Sequence, residues 1–162
     1  MNLPLLKAEQ EDDVDRMMSV MEDAFDAHWG EAWNRRQLSD SLISPATHYL
    51  LIAADGETPK SGEPAAGFLL SRCIAGEEEM LLVAVRREYQ GRGLGSKLIE
   101  RFCTAARERG ASELFLEMRH NNPARSLYEA NGFTPIGRRA NYYTLKSREK
   151  ADAITYSKKL PG

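Results

Sequence analysis

Between residues 11 and 25 the apolar side chains Val14, Met17, Met18, Met21 and Phe25 recur at helical spacing among charged neighbours. That period predicts an amphipathic helix whose methionines belong to a core. Residues 3–8 ahead of it read as a short strand, and residues 33–42 behind it as a second, shorter helix. The pattern then changes. Residues 48–54 and 65–73 read as strands, joined by a polar, Gly- and Pro-containing loop at 55–64 that should be mobile. Residues 80–85 form a continuous apolar run, too short for a helix and right for a buried strand. Leu94, Leu98, Phe102 and Ala105 then fall on one helical face, and Gly110 is placed to end that helix as a C′ residue. A strand at 114–118 follows. Asn122-Pro123 can open the next helix as N-cap and N1, with Gly132 closing it. Strands near 134–145 and 153–157 complete the chain.

Composition narrows the class. The chain has 162 residues, 42% hydrophobic and 28% charged, with a formal net charge of −2. This is one globular domain, residues 1–162, able to bury a substantial core. No apolar run approaches the ~18 residues of a membrane span. The first residues lack the basic and apolar regions of a signal peptide, and a cytoplasmic setting is expected. The charge balance argues against direct nucleic-acid binding. Cys73 and Cys103 read as reduced, partly buried thiols, and His28, His48 and His120 have no metal-ligand spacing, so no metal is expected. Glu77 and Glu78 read as ordinary solvated charges.

The chemistry concentrates where the strand at 80–85 meets the helix beginning at Leu94. Gln90-Gly91-Arg92-Gly93-Leu94-Gly95 places three glycines in six positions. Glycines just before a helix let successive N–H groups converge on one anion, backed by the positive end of the helix dipole. A P-loop is excluded because Ser96 stands where its second glycine belongs, and a Rossmann fingerprint fails at the same residue. The remaining pattern, Q/R-x-x-G-x-G/A, is matched by Gln90, Gly93 and Gly95.

That loop resembles the pyrophosphate loop of the GNAT superfamily of acetyltransferases. The segments 114–118 and 121–128 and the Asn131-Gly132-Phe133 ending are similar to the second half of the same fold. Arg138-Arg139-Ala140-Asn141-Tyr142-Tyr143 and Asp152-Ala153-Ile154 resemble the RimI-like ribosomal-protein alanine N-acetyltransferases, whose run is R-R-x-Y-Y. This chain carries one residue more between the arginines and the tyrosines. The resemblance implies an α+β GNAT fold, with a mixed, strongly twisted sheet of six to seven strands flanked by about four helices. It implies acetyl coenzyme A as co-substrate, with Val83, Ala84 and Val85 lending backbone groups to the pantetheine arm. Gly91, Arg92, Gly93, Leu94, Gly95 and Ser96 would hold the pyrophosphate. A splayed or bulged strand at 83–85 would free an N–H for the developing oxyanion.

By the same resemblance, Glu117 is the expected base for the amine, with Glu79 on the adjacent strand as the second choice. The ordinary alternative for Glu117 is a carboxylate paired with Arg119 or Arg125. Tyr128 is the expected proton donor to the leaving thiolate. Asn121 has the family's spacing to Tyr128 and is the expected coenzyme contact, whereas Asn122 is the better N-cap. Tyr142 and Tyr143 would line the acceptor entrance, with Trp29 and Trp33 as a possible opposite wall. The implied activity is acetyl transfer to a primary amine, most simply the N-terminal α-amine of a ribosomal protein. A small-molecule amine acceptor and a non-catalytic coenzyme-binding module are the competing readings.

Overall fold

The computed structural model describes residues 6–25 and 31–162. Helix α1 (Ala8–Ala24) begins three residues earlier than its apolar period, because the Gln10 side chain accepts the Lys7 amide and caps the first turn. Half of the expected opening strand, residues 3–5, lies outside the described residues; Leu6 and Lys7 are not in a strand, and Ala8 is already helical. Helix α2 (Arg35–Ile43) starts on a reciprocal cap, with Asn34 accepting the Gln37 amide and Gln37 accepting that of Asn34. The strands are β1 (Thr47–Ile52), β2 (Gly67–Ile74), β3 (Glu77–Val85), β4 (Glu113–Arg119), β5 (Thr134–Thr144) and β6 (Lys150–Lys159). Helices α3 (Leu94–Glu108) and α4 (Arg125–Ala130) alternate with them.

Among the described residues the six strands form one mixed sheet in the order β1-β2-β3-β4-β6-β5, with β3 and β4 parallel and the other neighbours antiparallel. Helices α3 and α4 cover one face, where Leu98, Ile99 and Phe102 pack on Leu69, Leu114, Leu116 and Tyr156. Helices α1 and α2 cover the other, with Met17, Met21 and Leu38 against Phe68, Leu70 and Leu82. Complete burial of a side chain such as Phe102 contributes about 2–3 kcal/mol.

A bulge in β3 decides which residues face which layer. Leu70 stands opposite Leu82 and Ser71 opposite Met80, leaving Leu81 without an opposite number. Met80 therefore packs towards α3, while Leu82 and Ala84 pack towards α1 and Val83 and Val85 turn back to the α3 side. Both later helices end in Schellman motifs. Gly110 and Gly132 adopt φ of +93° and +88°, and the amides of Ala111 and Phe133 reach back to Ala106 and Tyr128.

Three expectations need correction. The 55–64 loop is held at several points: Arg16 donates to the Glu63 carbonyl at 2.9 Å and Arg101 to that of Gly56 at 2.5 Å. Helix α4 begins at Arg125, not at Asn122-Pro123; Asn122 accepts the Ala124 amide at 2.8 Å and caps only the turn before it. Glu78 is not a solvated charge but the most buried carboxylate among the described residues, at 1% exposure.

Candidate acetyl-transfer site

The parallel pair β3–β4 is hydrogen-bonded only from Glu77–Glu113 to Glu79–Phe115, and beyond that register the two strands part. The Arg86 amide donates to Ala66 on the β2 side, so by strand alternation the backbone groups of Val83 and Val85 face away from β2, into the opening. The Val85 carbonyl accepts the Gln90 side chain at 2.9 Å, which ties the glycine loop to the end of the strand. The splay expected at 83–85 is present. The bulge lies earlier, at Leu81.

Gly91 and Gly93 adopt φ of +79° and +81°, a left-handed backbone that turns the chain into α3, and Gly93 is the N-cap. Helix α3 thus presents its unsatisfied first-turn amides at the mouth of the split. Residues 91–93 are exposed, and no atom lies within 4 Å of a Cβ built on Gly91 or Gly93. Arg92 stacks over the Tyr89 ring at 5.4 Å, Leu94 is core, and Ser96 accepts a bond from Asn131 at 3.2 Å. Gly95 is set apart: a Cβ there would lie 3.1 Å from Leu127, so this glycine lets α3 and α4 pack closely. The exposed glycine turn, the helix N-terminus and the parted strands fit a ligand with a pyrophosphate at one end and an extended arm.

On the opposite side of the sheet from α3, Glu117 accepts from the Thr155 hydroxyl at 3.4 Å and lies 3.7 Å from Arg139. Arg125 bonds Glu129, and the buried Arg119 bonds Glu31 at 2.9 Å and also donates to Asn121. Tyr128 is buried on α4, edge-on to Phe133. Burial raises its phenol above the ordinary tyrosine range, and the charges of Glu31 and Tyr143 add to the effect. Tyr143 is pushed up to about 12, first by burial and then by Glu117 and Glu31. Both phenols therefore keep their protons at neutral pH. Tyr143 thus lies in the fields of Glu117 and Glu31, and Tyr128 in those of Glu31 and Tyr143. Glu79 sits instead where β3 and β4 are still paired, bonded to Arg72 at 3.3 Å.

Arg139, Tyr142 and Tyr143 share one side of β5. The Arg139 guanidinium lies 5.0 Å from the Tyr142 ring, and the two tyrosine rings meet edge-on at 5.2 Å. Trp33 packs in the α1–α2 layer, its amide donating to the Met21 sulfur; Trp29 lies outside the described residues. Sequence reasoning missed Glu31. It belongs to no periodic element and meets Arg119 from 88 positions away, so only the fold reveals it. Among the described residues no three His, Cys, Asp or Glu side chains form a metal-binding group, and no helix is long and apolar enough to cross a membrane.

A parted parallel strand pair, a glycine cradle before a helix and an acid–tyrosine constellation define a class, and comparison with known proteins gives it a name. The model of the acetyltransferase (GNAT) family matches residues 14–133, and the chain belongs to that family, whose members use acetyl coenzyme A. Within it, the chain is 31% identical over 134 residues to a candidate ribosomal protein bS18-alanine N-acetyltransferase of Bacillus subtilis (strain 168), covering 82% of each chain. It is 38% identical over 88 residues to the ribosomal protein bS18-alanine N-acetyltransferase of Escherichia coli (strain K12), a match spanning 53% of this chain and 60% of that one. The crystal structure of the Escherichia coli ribosomal-protein-S18-alanine N-acetyltransferase superposes with a TM-score of 0.77 at 23% identity, over 98% of this chain and 92% of that one, and shares the fold.

Proposed function

We propose that this protein is a single-domain enzyme of the cytoplasm that acetylates the N-terminal α-amine of a protein, with a ribosomal protein beginning in alanine as the acceptor. No contact with nucleic acid or membrane is required by this reading. The observation that carries it is the wall of Arg139, Tyr142 and Tyr143 beside Glu117, which suits a peptide terminus entering along β5. The names of the relatives support the same acceptor class.

Acetyl coenzyme A supplies an activated acetyl thioester to the site. The amides of residues 91–96 bind its pyrophosphate, Asn121 contacts the coenzyme, and the backbone of residues 83–85 aligns the arm. An α-amine with a reference pKa near ~8 costs about 1.4 kcal/mol to deprotonate at pH 7, a lysine more than ~4. Glu117 takes the amine proton, directly or through one water. An outward N–H of β3 at Val83 or Val85 meets the developing oxyanion, a role worth ~3 kcal/mol where measured. Tyr128 keeps its proton at neutral pH and delivers it from Oη to the departing sulfur.

Thiol release from acetyl coenzyme A tests the reading with three acceptors: an Ala-starting peptide, its N-blocked form containing lysine, and a mixture of small amines. Turnover with the free Ala terminus alone is expected. Turnover with small amines alone would overturn the protein-acceptor reading, and coenzyme binding without turnover of any acceptor would overturn the enzymatic one.

A further inference from the structure

β5 and β6 pair from Thr134–Ser157 to Arg139–Ala153, with Ile136 left over between Pro135 and Gly137, and again from Tyr143–Ala151, so in this second irregularity Ala140, Asn141 and Tyr142 together stand opposite Asp152 alone. This bulge contains the residue that the chain carries beyond R-R-x-Y-Y. At its centre Asn141 adopts φ of +53°, a left-handed conformation that asparagine tolerates better than most residues. The bulge has a defined anchor. Asp152 Oδ1 accepts the Asn141 amide at 2.8 Å, and Oδ2 accepts Arg138 Nε at 2.6 Å. Asp152 is itself fixed through its backbone: its amide donates to His120 Nδ1 at 3.1 Å, and its carbonyl accepts the His120 amide at 2.9 Å.

The consequence is geometric. In a regular strand, residues three apart, and adjacent residues, point to opposite faces. Arg139 and Tyr142 would then be separated by the sheet, as would Tyr142 and Tyr143. Here all three meet, with the guanidinium 5.0 Å from the Tyr142 ring and the rings 5.2 Å apart, and Arg139 reaches to 3.7 Å from Glu117. A shift of one residue in the bulge would return Tyr142 to the other face.

We infer that Asp152 is a positioning residue for acceptor selection: by clamping the Asn141 amide it holds the bulge that gathers Arg139, Tyr142 and Tyr143 beside Glu117. This rests on the reading of that wall as the acceptor side. Asp152 touches neither substrate. It acts through β5, and its effect falls on the acceptor rather than on the coenzyme.

The test compares Asp152→Ala and Asp152→Asn with wild type in steady-state kinetics on the Ala-starting peptide, together with amide hydrogen exchange at Asn141. Asp152→Asn keeps an oxygen that can accept the amide and removes the charge facing Arg138. In Asp152→Ala, KM for the peptide should rise about tenfold or more, as misplacement of a binding group commonly does. KM for acetyl coenzyme A should stay within about twofold, and Asn141 exchange should accelerate. Asp152→Asn should recover most of the peptide KM and the slow exchange. Equal losses for both substrates, Asp152→Asn as impaired as Asp152→Ala, or unchanged Asn141 exchange in Asp152→Ala would each overturn the clamp. If wild type turns over a small amine and not the peptide, the protein-acceptor reading fails on its own. The clamp is then judged by the same KM comparison on that amine and by the exchange measurement.

Discussion

From Glu77 to Glu79, strand β3 is hydrogen-bonded to β4, and the side chain at its centre is a buried carboxylate held at both oxygens by Arg109, at 2.6 and 2.9 Å. Four residues further on, at Val83–Val85, the strands have parted and the backbone opens towards the glycine cradle. The closed end thus carries a satisfied charge pair, with Ser71 and Cys73 also donating to Glu78. The open end carries backbone no longer paired with β4, a buried tyrosine and a partly exposed glutamate. On the proposed reading, the closed end holds the angle of the two strands and the open end uses the gap that this angle creates. If so, substitutions at one end should change stability with little effect on ligand binding, and those at the other should do the reverse.

The largest expected effect lies at the open end. Tyr128→Phe removes the proton held at Oη and leaves the ring against Phe133. Loss of a general acid costs roughly 10²–10³-fold in kcat, with KM for both substrates little changed and Tm within a few degrees of wild type. Single-turnover rates and thermal melts check both parts. The wild-type kcat/KM should rise with pH as the acceptor amine loses its proton. Because the Tyr128 phenol lies above its ordinary range, no alkaline decline from this residue should appear below about pH 10. A decline near pH 8, absent in Tyr128→Phe, would contradict that assignment.

At the closed end, Arg109→Ala leaves the Glu78 carboxylate buried without its cation. Breaking a buried pair costs about 3–5 kcal/mol, and the partial exposure of Arg109 (30%) favours the lower figure. For a chain of this size that is a fall of roughly 6–12 °C in Tm. Acetyl coenzyme A affinity of the folded variant should be unchanged; a parallel loss would join the two ends into one unit. Burial alone would raise the Glu78 pKa, but the bonds from Arg109, Cys73 and Ser71 outweigh it and hold the carboxyl below its ordinary value. The folded pKa is depressed, so its contribution is complete above the unfolded carboxylate pKa near ~4.3 and is lost as pH falls below it. Denaturant melts of wild type should lose stability more steeply below pH 4 than those of Glu78→Gln.

Much of this contrast was legible in the chain, and the rest was hidden for definite reasons. The apolar run at 80–85, the three glycines and the α3 period announced the open end, because those signals are local. Glu78 reads as solvated in sequence because it follows Glu77 and precedes Glu79, and its burial depends on a cation 31 residues away. The β3 bulge at Leu81 is invisible in a run of apolar residues that suit either face. The start of α4 is ambiguous in sequence because Asn122 caps a turn as well as it would cap a helix, and only the hydrogen bonds distinguish them. Glu31 was missed for want of any pattern around it. The extra residue before Tyr142 was visible as an insertion, but its fate as a bulge required the register with β6.

The finest division runs through the glycine loop itself, between Gly93 and Gly95. Gly93→Ala forces a side chain into φ of +81°, costing about 1–2 kcal/mol, and disturbs the first-turn amides proposed to hold the coenzyme. Gly95 is an ordinary helical residue whose absent Cβ makes room for Leu127 at 3.1 Å. In Gly95→Ala the gain in helix propensity, up to ~1 kcal/mol, opposes the displacement of one leucine, and stability should move by less than about 1 kcal/mol. Leu127 precedes Tyr128 on α4, so the displacement is passed to the phenol and not to the phosphate cradle. Gly95→Ala should therefore lower kcat a few-fold and leave the dissociation constant for coenzyme A unchanged, whereas Gly93→Ala should weaken coenzyme binding first. Calorimetric titration of coenzyme A alongside kcat separates the two. If Gly95→Ala weakened binding as much as Gly93→Ala does, the missing Cβ of Gly95 would serve the cradle and not only the packing, and the close approach of α3 to α4 would be incidental to the chemistry.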